Sequence, residues 1–188
     1  MHFTCLVTWH PHEVMANRVQ PSDAYYNEKT DRYELDWIAL DESQWICDWY
    51  EIWWRRDYYI SVEDTSEPEL YQPLFSKWYG DEFEKVDRSK LHCRASARKW
   101  NIEWFRDGKN SRCKKYPDTF SYIDMDWVYH KVPETFDFCD DRKKYDWTEK
   151  TYNKEAYEKA KKKWRRDYLK WYKSIPDDEI LTIIDYHD

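Results

Sequence analysis

Ile180-Leu181-Thr182-Ile183-Ile184-Asp185-Tyr186-His187-Asp188 closes the chain and is its most apolar run, rich in β-branched residues. It follows a breaker, Pro176-Asp177-Asp178, and such a run reads as a buried strand. The strand is expected to turn back into the middle of the fold and to present Asp185 and His187 at its end. Its natural partner is the opening segment His2-Phe3-Thr4-Cys5-Leu6-Val7-Thr8-Trp9. There Phe3, Cys5, Val7 and Trp9 share one face while His2, Thr4, Leu6 and Thr8 share the other, the two-residue period of a strand.

The segments between the two ends mix helix and strand signals. Pro11 opens a short helix to about Gln20, and Pro21 to Asp36 reads as an irregular connection. Asp41-Glu42-Ser43-Gln44 has the form of a capping box. It predicts a helix over 42–56 with Trp45, Ile46, Trp49, Ile52 and Trp53 as its apolar stripe. Tyr58 to Val62 reads as a strand, Glu63 to Glu69 as an acidic loop, and the second half of Asp81 to Lys99 as helical. Ile102-Glu103-Trp104-Phe105 precedes a turn at Asp107-Gly108. Residues 119–124 and 127–132 flank Met125-Asp126 and predict a β-hairpin. Asp146-Trp147-Thr148-Glu149 offers a second capping box, opening a helix to about Lys173 with Tyr157, Ala160, Trp164, Tyr168 and Trp171 on one face. No internal repeat or low-complexity linker divides the chain. The expected fold is a single α+β domain over residues 1–188. Its mixed or antiparallel sheet has the N- and C-terminal strands at its centre, flanked by helices that include a long basic C-terminal one.

Composition narrows the function. Only two glycines occur, Gly80 and Gly108. Glycine-rich phosphate loops and the dinucleotide fingerprint are thereby excluded, because both need close backbone approach. The net charge is −7, but Arg142 to Lys173 holds 13 basic against 5 acidic residues, a local +8 that leaves −15 on the remainder. An acidic body with one basic helix argues against a general nucleic-acid binder and favours a small anionic ligand or an acidic partner. The five cysteines have an odd count, wide spacing and no Cys-x-x-Cys, so free thiols in a reducing compartment are expected. No signal-peptide pattern or membrane-length apolar run is present, and a cytoplasmic protein without cofactor is expected.

The two ends of the chain also carry a resemblance. His2-Phe3-Thr4 leading an apolar strand, together with Leu181-Thr182-Ile183-Ile184-Asp185-Tyr186-His187 at the close, resembles an uncharacterised family of tailed-bacteriophage proteins. That family opens on a His-Phe-Thr strand and ends on a Leu-Thr-x-x-Asp-x-His strand. Tyr71-Gln72-Pro73-Leu74-Phe75-Ser76-Lys77-Trp78-Tyr79-Gly80 is similar to its aromatic Asn-Pro-x-x-Lys-Trp segment, while its Gly-Gly-Arg-Trp element has no counterpart here. Thr119-Phe120-Ser121-Tyr122-Ile123 with Trp127 is similar to a later strand pair of the family. The resemblance implies a phage accessory protein in the bacterial host cytoplasm, among whose plausible tasks is countering host immunity.

Three functional classes follow for such a protein. Arg55, Arg56, Lys77, Trp78, Tyr79 and Trp127 combine cations with flat rings, as a pocket that sequesters a nucleotide-type immune signal requires. This is the leading expectation. In the alternative, His2 and Thr4 form the His-x-Thr unit from which two-histidine phosphoesterases build their site, and Asp185 with His187 supplies the second imidazole. An Asp-x-His pair also orients a histidine or contributes to a metal site, for which His2 or His130 would be the further ligands; no metal is assigned. The structural alternative is that His2 is a solvated terminus and Asp185 and His187 a polar strand end. In the third class the basic helix docks on a host defence enzyme, unless it is simply a solvated face over a buried Tyr/Trp stripe.

Overall fold

The computed structural model describes residues 2–8, 10–16, 18–36, 38–39, 45–52, 58–71, 92–107, 112–114, 119–139 and 152–187. The first strand, β1 (His2–Thr8), and the last, β13 (Ile180–His187), pair antiparallel along their length, from His2 opposite His187 to Thr8 opposite Leu181. On the far side of β1 lies β11 (Ser121–Ile123), parallel to it, and then β12 (Tyr129–Lys131), antiparallel to β11. On the far side of β13, its end pairs with β5 (Trp49–Ile52) and its start with β8 (Ser96–Arg98), both antiparallel. The sheet order β12-β11-β1-β13-β5 is mixed and has the terminal strands at its centre. This is the architecture that the apolar closing run implies. A strand buried on both faces needs partners on both edges, and the opening strand supplies one complete edge.

One face of this sheet carries Leu6, Leu181, Ile183 and Tyr122, on which the long helix α2 (Lys154–Ser174) lays Tyr168 and Tyr172. Asn153 caps that helix, its side-chain oxygen accepting from the Ala156 N–H at 3.0 Å. Rings fill the interface. Tyr122 stacks on Trp171 at 4.2 Å between centroids, and Trp164 stacks on Tyr168 at 5.0 Å. The opposite face holds Cys5, Val7, Ile184 and Tyr186, covered by Val14 and Met15 of the short helix α1 (Pro11–Met15) and by Cys47. Each fully buried aliphatic side chain contributes about 1.5–3 kcal/mol. The two buried faces of β13 are therefore the main source of cohesion.

A second sheet, in the order β10-β9-β6-β7, joins β6 (Tyr58–Val62), β7 (Cys93–Arg94), β9 (Ile102–Asp107) and β10 (Arg112–Lys114). Ile60, Val62 and Phe105 carry it into the core under α2. A third, small sheet is formed by β2 (Tyr25–Asn27), β3 (Arg32–Leu35) and β4 (Ile38–Ala39).

The helical flanks are thinner than the sequence pattern suggests. Within the span 42–56, the described residues Trp49–Ile52 form a strand and Cys47 bridges Val19. Spacing of large apolar residues suits either period over so short a span, and the open edge of β13 supplied the backbone partners that decided it. Pro21 to Asp36 is ordered as a hairpin around the buried Glu34 carboxylate, which accepts from Asn27 at 3.0 Å, Thr30 at 2.8 Å and Tyr25 at 3.1 Å. The second half of Asp81 to Lys99 contains β7 and β8 rather than a helix. The expected strand at residues 58–62 and the hairpin at 119–132 are present, and Ile102–Phe105 belongs to β9, which extends through Asp107. The capping boxes at 41–44 and 146–149 lie outside the described residues. Among the described residues, no helix is long and apolar enough to cross a membrane.

Candidate functional site

The register of the central strand pair assembles the terminal residues. His2 lies directly opposite His187, and Thr4 directly opposite Asp185. Because side chains alternate along a strand and opposed residues of an antiparallel pair share a face, all four positions fall on one side of the sheet. Opposed Cα atoms in such a pair stand about 4.5–5.5 Å apart. Leu6 and Ile183 continue the same face inward, where they meet α2. Hydrophobic burial fixes this alignment, since a one-residue slip of β13 would turn Ile183 away from the helix and expose it.

Asp48, one residue before β5, completes the group. Its backbone N–H donates to the His187 carbonyl at 3.0 Å, and its carboxylate oxygens stand 2.9 and 3.0 Å from His187 Nδ1. The His187 side chain is 37% exposed and that of Asp48 52%, so the pair lies at the rim of the sheet. An Nδ1–H donated to the carboxylate leaves Nε2 as the acceptor nitrogen of the ring, the tautomer a general base requires. Thr4 Oγ1 accepts from the Phe120 N–H at 3.4 Å. Asp185 is buried at 3% exposure, deeper in the sheet than His187. In the core that α2 shares with Leu6 and Ile183, the Tyr168 hydroxyl meets Thr119 Oγ1 at 3.2 Å, and burial pushes the Tyr168 phenol well above its ordinary range.

The remaining expected site residues do not join this group. Trp127 lies in the β11–β12 turn. Since β11 runs parallel to β1 with Val7 paired to Ile123, that turn sits at the Thr8 end, the opposite end from His2 and His187. Trp127 is 37% exposed and holds a left-handed backbone at φ 63°, an uncommon state for a bulky residue. Its carbonyl accepts from the Arg18 guanidinium, and its N–H donates to the Asp124 carbonyl at 3.0 Å. His130, expected as a further metal ligand, stands on β12, separated from β13 by β11 and β1. It pairs with Asp124 at 2.7 Å and stacks on Tyr122, so it does not reach Asp185 or His187. Among the described residues, no group of three or more His, Cys, Asp or Glu could hold a metal ion. Arg55, Arg56, Lys77, Trp78 and Tyr79 lie outside the described residues.

Asp48 is the residue that sequence reasoning passes over. It falls inside the span whose spacing predicts a helix, where it reads as one more solvent-facing acid. Only a strand at Trp49–Ile52 paired to β13 brings it beside His187. Compared with family models, with curated proteins and with solved structures, the chain shows no match to any of them.

Proposed function

We propose that the protein hydrolyses a nucleotide-type phosphodiester by acid–base catalysis between His187 and His2. The observation that carries this reading is the direct opposition of His2 to His187 on the central strand pair, with Asp48 holding His187 Nδ1. His187 Nε2 takes a proton from the attacking water as its oxygen bonds to phosphorus. The His2 imidazolium gives its proton to the leaving oxygen as the other phosphorus–oxygen bond breaks. Exchange with solvent restores both rings. Thr4, whose oxygen is engaged by the Phe120 N–H, retains its hydroxyl proton for a phosphate oxygen. The setting, destruction of a host immune signal in the cytoplasm of an infected bacterium, rests on the likeness of the terminal strands to a phage family.

A second reading is sequestration of the same kind of signal without cleavage. It is favoured by Trp127, whose exposed ring is carried on a backbone held from both sides by Arg18 and Asp124.

One experiment separates the two. The protein is incubated with cyclic dinucleotides and ADP-ribose derivatives, then denatured, and the supernatant is analysed chromatographically. New products support hydrolysis, and intact ligand released only on denaturation supports sequestration. If neither products nor released ligand appear across the panel, both readings are overturned. Under the first reading His187→Ala lowers turnover by about 10²–10⁴-fold. Asp48→Asn, which misplaces the ring while leaving it present, lowers turnover by about 10²-fold. Unchanged thermal midpoints establish that both variants are folded.

A further inference from the structure

The outer side of α2 bears a stripe that the strand-end site does not use. Lys162, Arg165, Arg166, Leu169, Lys170 and Lys173 line an open groove of about 630 Å³. Their spacing is that of neighbouring positions on successive turns, so they form one band from Lys162 to Lys173, about 16 Å at the helical rise. The buried band of the same helix, Tyr168 and Tyr172, faces the sheet. The groove is therefore turned toward solvent and stands apart from His2 and His187.

Part of its charge has no ion-pair partner among the described residues. Asp167 bonds Lys163 at 2.8 Å and Arg166 at 3.3 Å. Lys162, Lys170 and Lys173 have no ion-pair partner among the described residues. The Arg165 guanidinium lies 5.7 Å from the centre of the Tyr168 ring, which anchors one fork at the inner edge of the band. Leu169, half-buried, gives the groove an apolar floor between the cations.

From this arrangement we infer that the groove binds a small ligand carrying a short oligophosphate chain. Five cations on one stripe, two of them guanidinium forks, suit closely spaced phosphate oxygens that accept in pairs. A single phosphate would engage only neighbours about 5–6 Å apart and leave the rest of the band idle. The groove volume falls within the range of small-ligand sites, about 300–1,000 Å³. An extended nucleic acid would lie against a chain whose net charge is −7 and whose acidic excess is outside this helix, which disfavours it. An acidic protein segment brings one charge per carboxylate, a sparser pattern than the stripe offers.

The test is calorimetric titration of the full chain with sodium tripolyphosphate, against orthophosphate and sulfate. The expected result is one site, at least about tenfold tighter for tripolyphosphate than for either single anion, weakening as salt rises from about 50 to about 200 mM. Combined Lys162→Glu and Lys170→Glu changes reduce that affinity by about tenfold or more. The milder Lys162→Gln/Lys170→Gln pair reduces it in the same direction if charge reversal perturbs the helix. His187→Ala leaves it unchanged, so failure here and failure of the hydrolytic reading are distinguishable. Equal binding of orthophosphate overturns the proposal, as does affinity indifferent to both lysine pairs. Tighter binding of a single-stranded RNA oligomer or of a polyglutamate peptide overturns it too, since the occupant would then be a macromolecule.

Discussion

Thr182→Val offers a direct test of how β13 is seated. Thr182 is fully buried, opposite Val7 on one side and Ser96 on the other. Its hydroxyl has no hydrogen-bond partner among the described residues. A buried hydroxyl without a partner costs about 1–3 kcal/mol in proteins. Valine keeps the branched shape and removes the polar atom. The variant should therefore gain about 1 kcal/mol, which for a chain of this size raises the melting midpoint by about 2–4 °C. Ser121→Ala is the matched control. Ser121 is equally buried, but its Oγ lies 3.3 Å from the Tyr186 hydroxyl and donates to the Thr4 carbonyl at 3.5 Å. Its loss should lower stability by about 1 kcal/mol. Urea titration followed by tryptophan fluorescence, with calorimetry alongside, measures both variants. A loss of more than about 0.5 kcal/mol for Thr182→Val at unchanged urea dependence would refute the reasoning, because it would place a partner on the hydroxyl.

Two further outcomes follow from the same core and its helix. Burial raises the Cys5 thiol from 9.0 to about 12. The folded state thus holds a proton that the unfolded chain gives up. The contribution is fully present below pH 9 and is lost as pH rises toward 12, at about 1.4 kcal/mol per pH unit. Urea midpoints measured through this window should fall, and Cys5→Ala should make the fall shallower; an identical slope in the two proteins contradicts the assignment. Asn153→Ala removes the α2 cap and should cost about 1 kcal/mol, whereas Asn153→Asp should retain most of it; equal losses measured by chemical denaturation would show that the side-chain oxygen is not the cap.

Much of the frame was legible in residue order because it depends on local chemistry. Ile180 to His187 combines β-branched residues with a preceding breaker, and no other reading buries it as well. The opening segment has the alternation of a strand, and the adjacency of the two ends follows from each needing the other. The helix before the breaker was legible for a similar reason, and Asn153 caps its described span. What residue order did not decide was which open edges would be filled. Trp49 to Ile52 carries a spacing that suits a helix in isolation, and it became a strand because the end of β13 offered it hydrogen-bonding groups. The same choice moved Asp48 from a solvated acid to the partner of His187.

Sequence alone therefore determined the central pair and the presence of a histidine on each of its strands. The tertiary structure decided their register, since burying Leu6 and Ile183 under α2 fixes β13 to the residue and so sets His2 against His187. It also sent Trp127 to the far end of the sheet, because β11 runs parallel to β1. Strand direction is set by how the connecting chain packs, and no local pattern in the sequence encodes it.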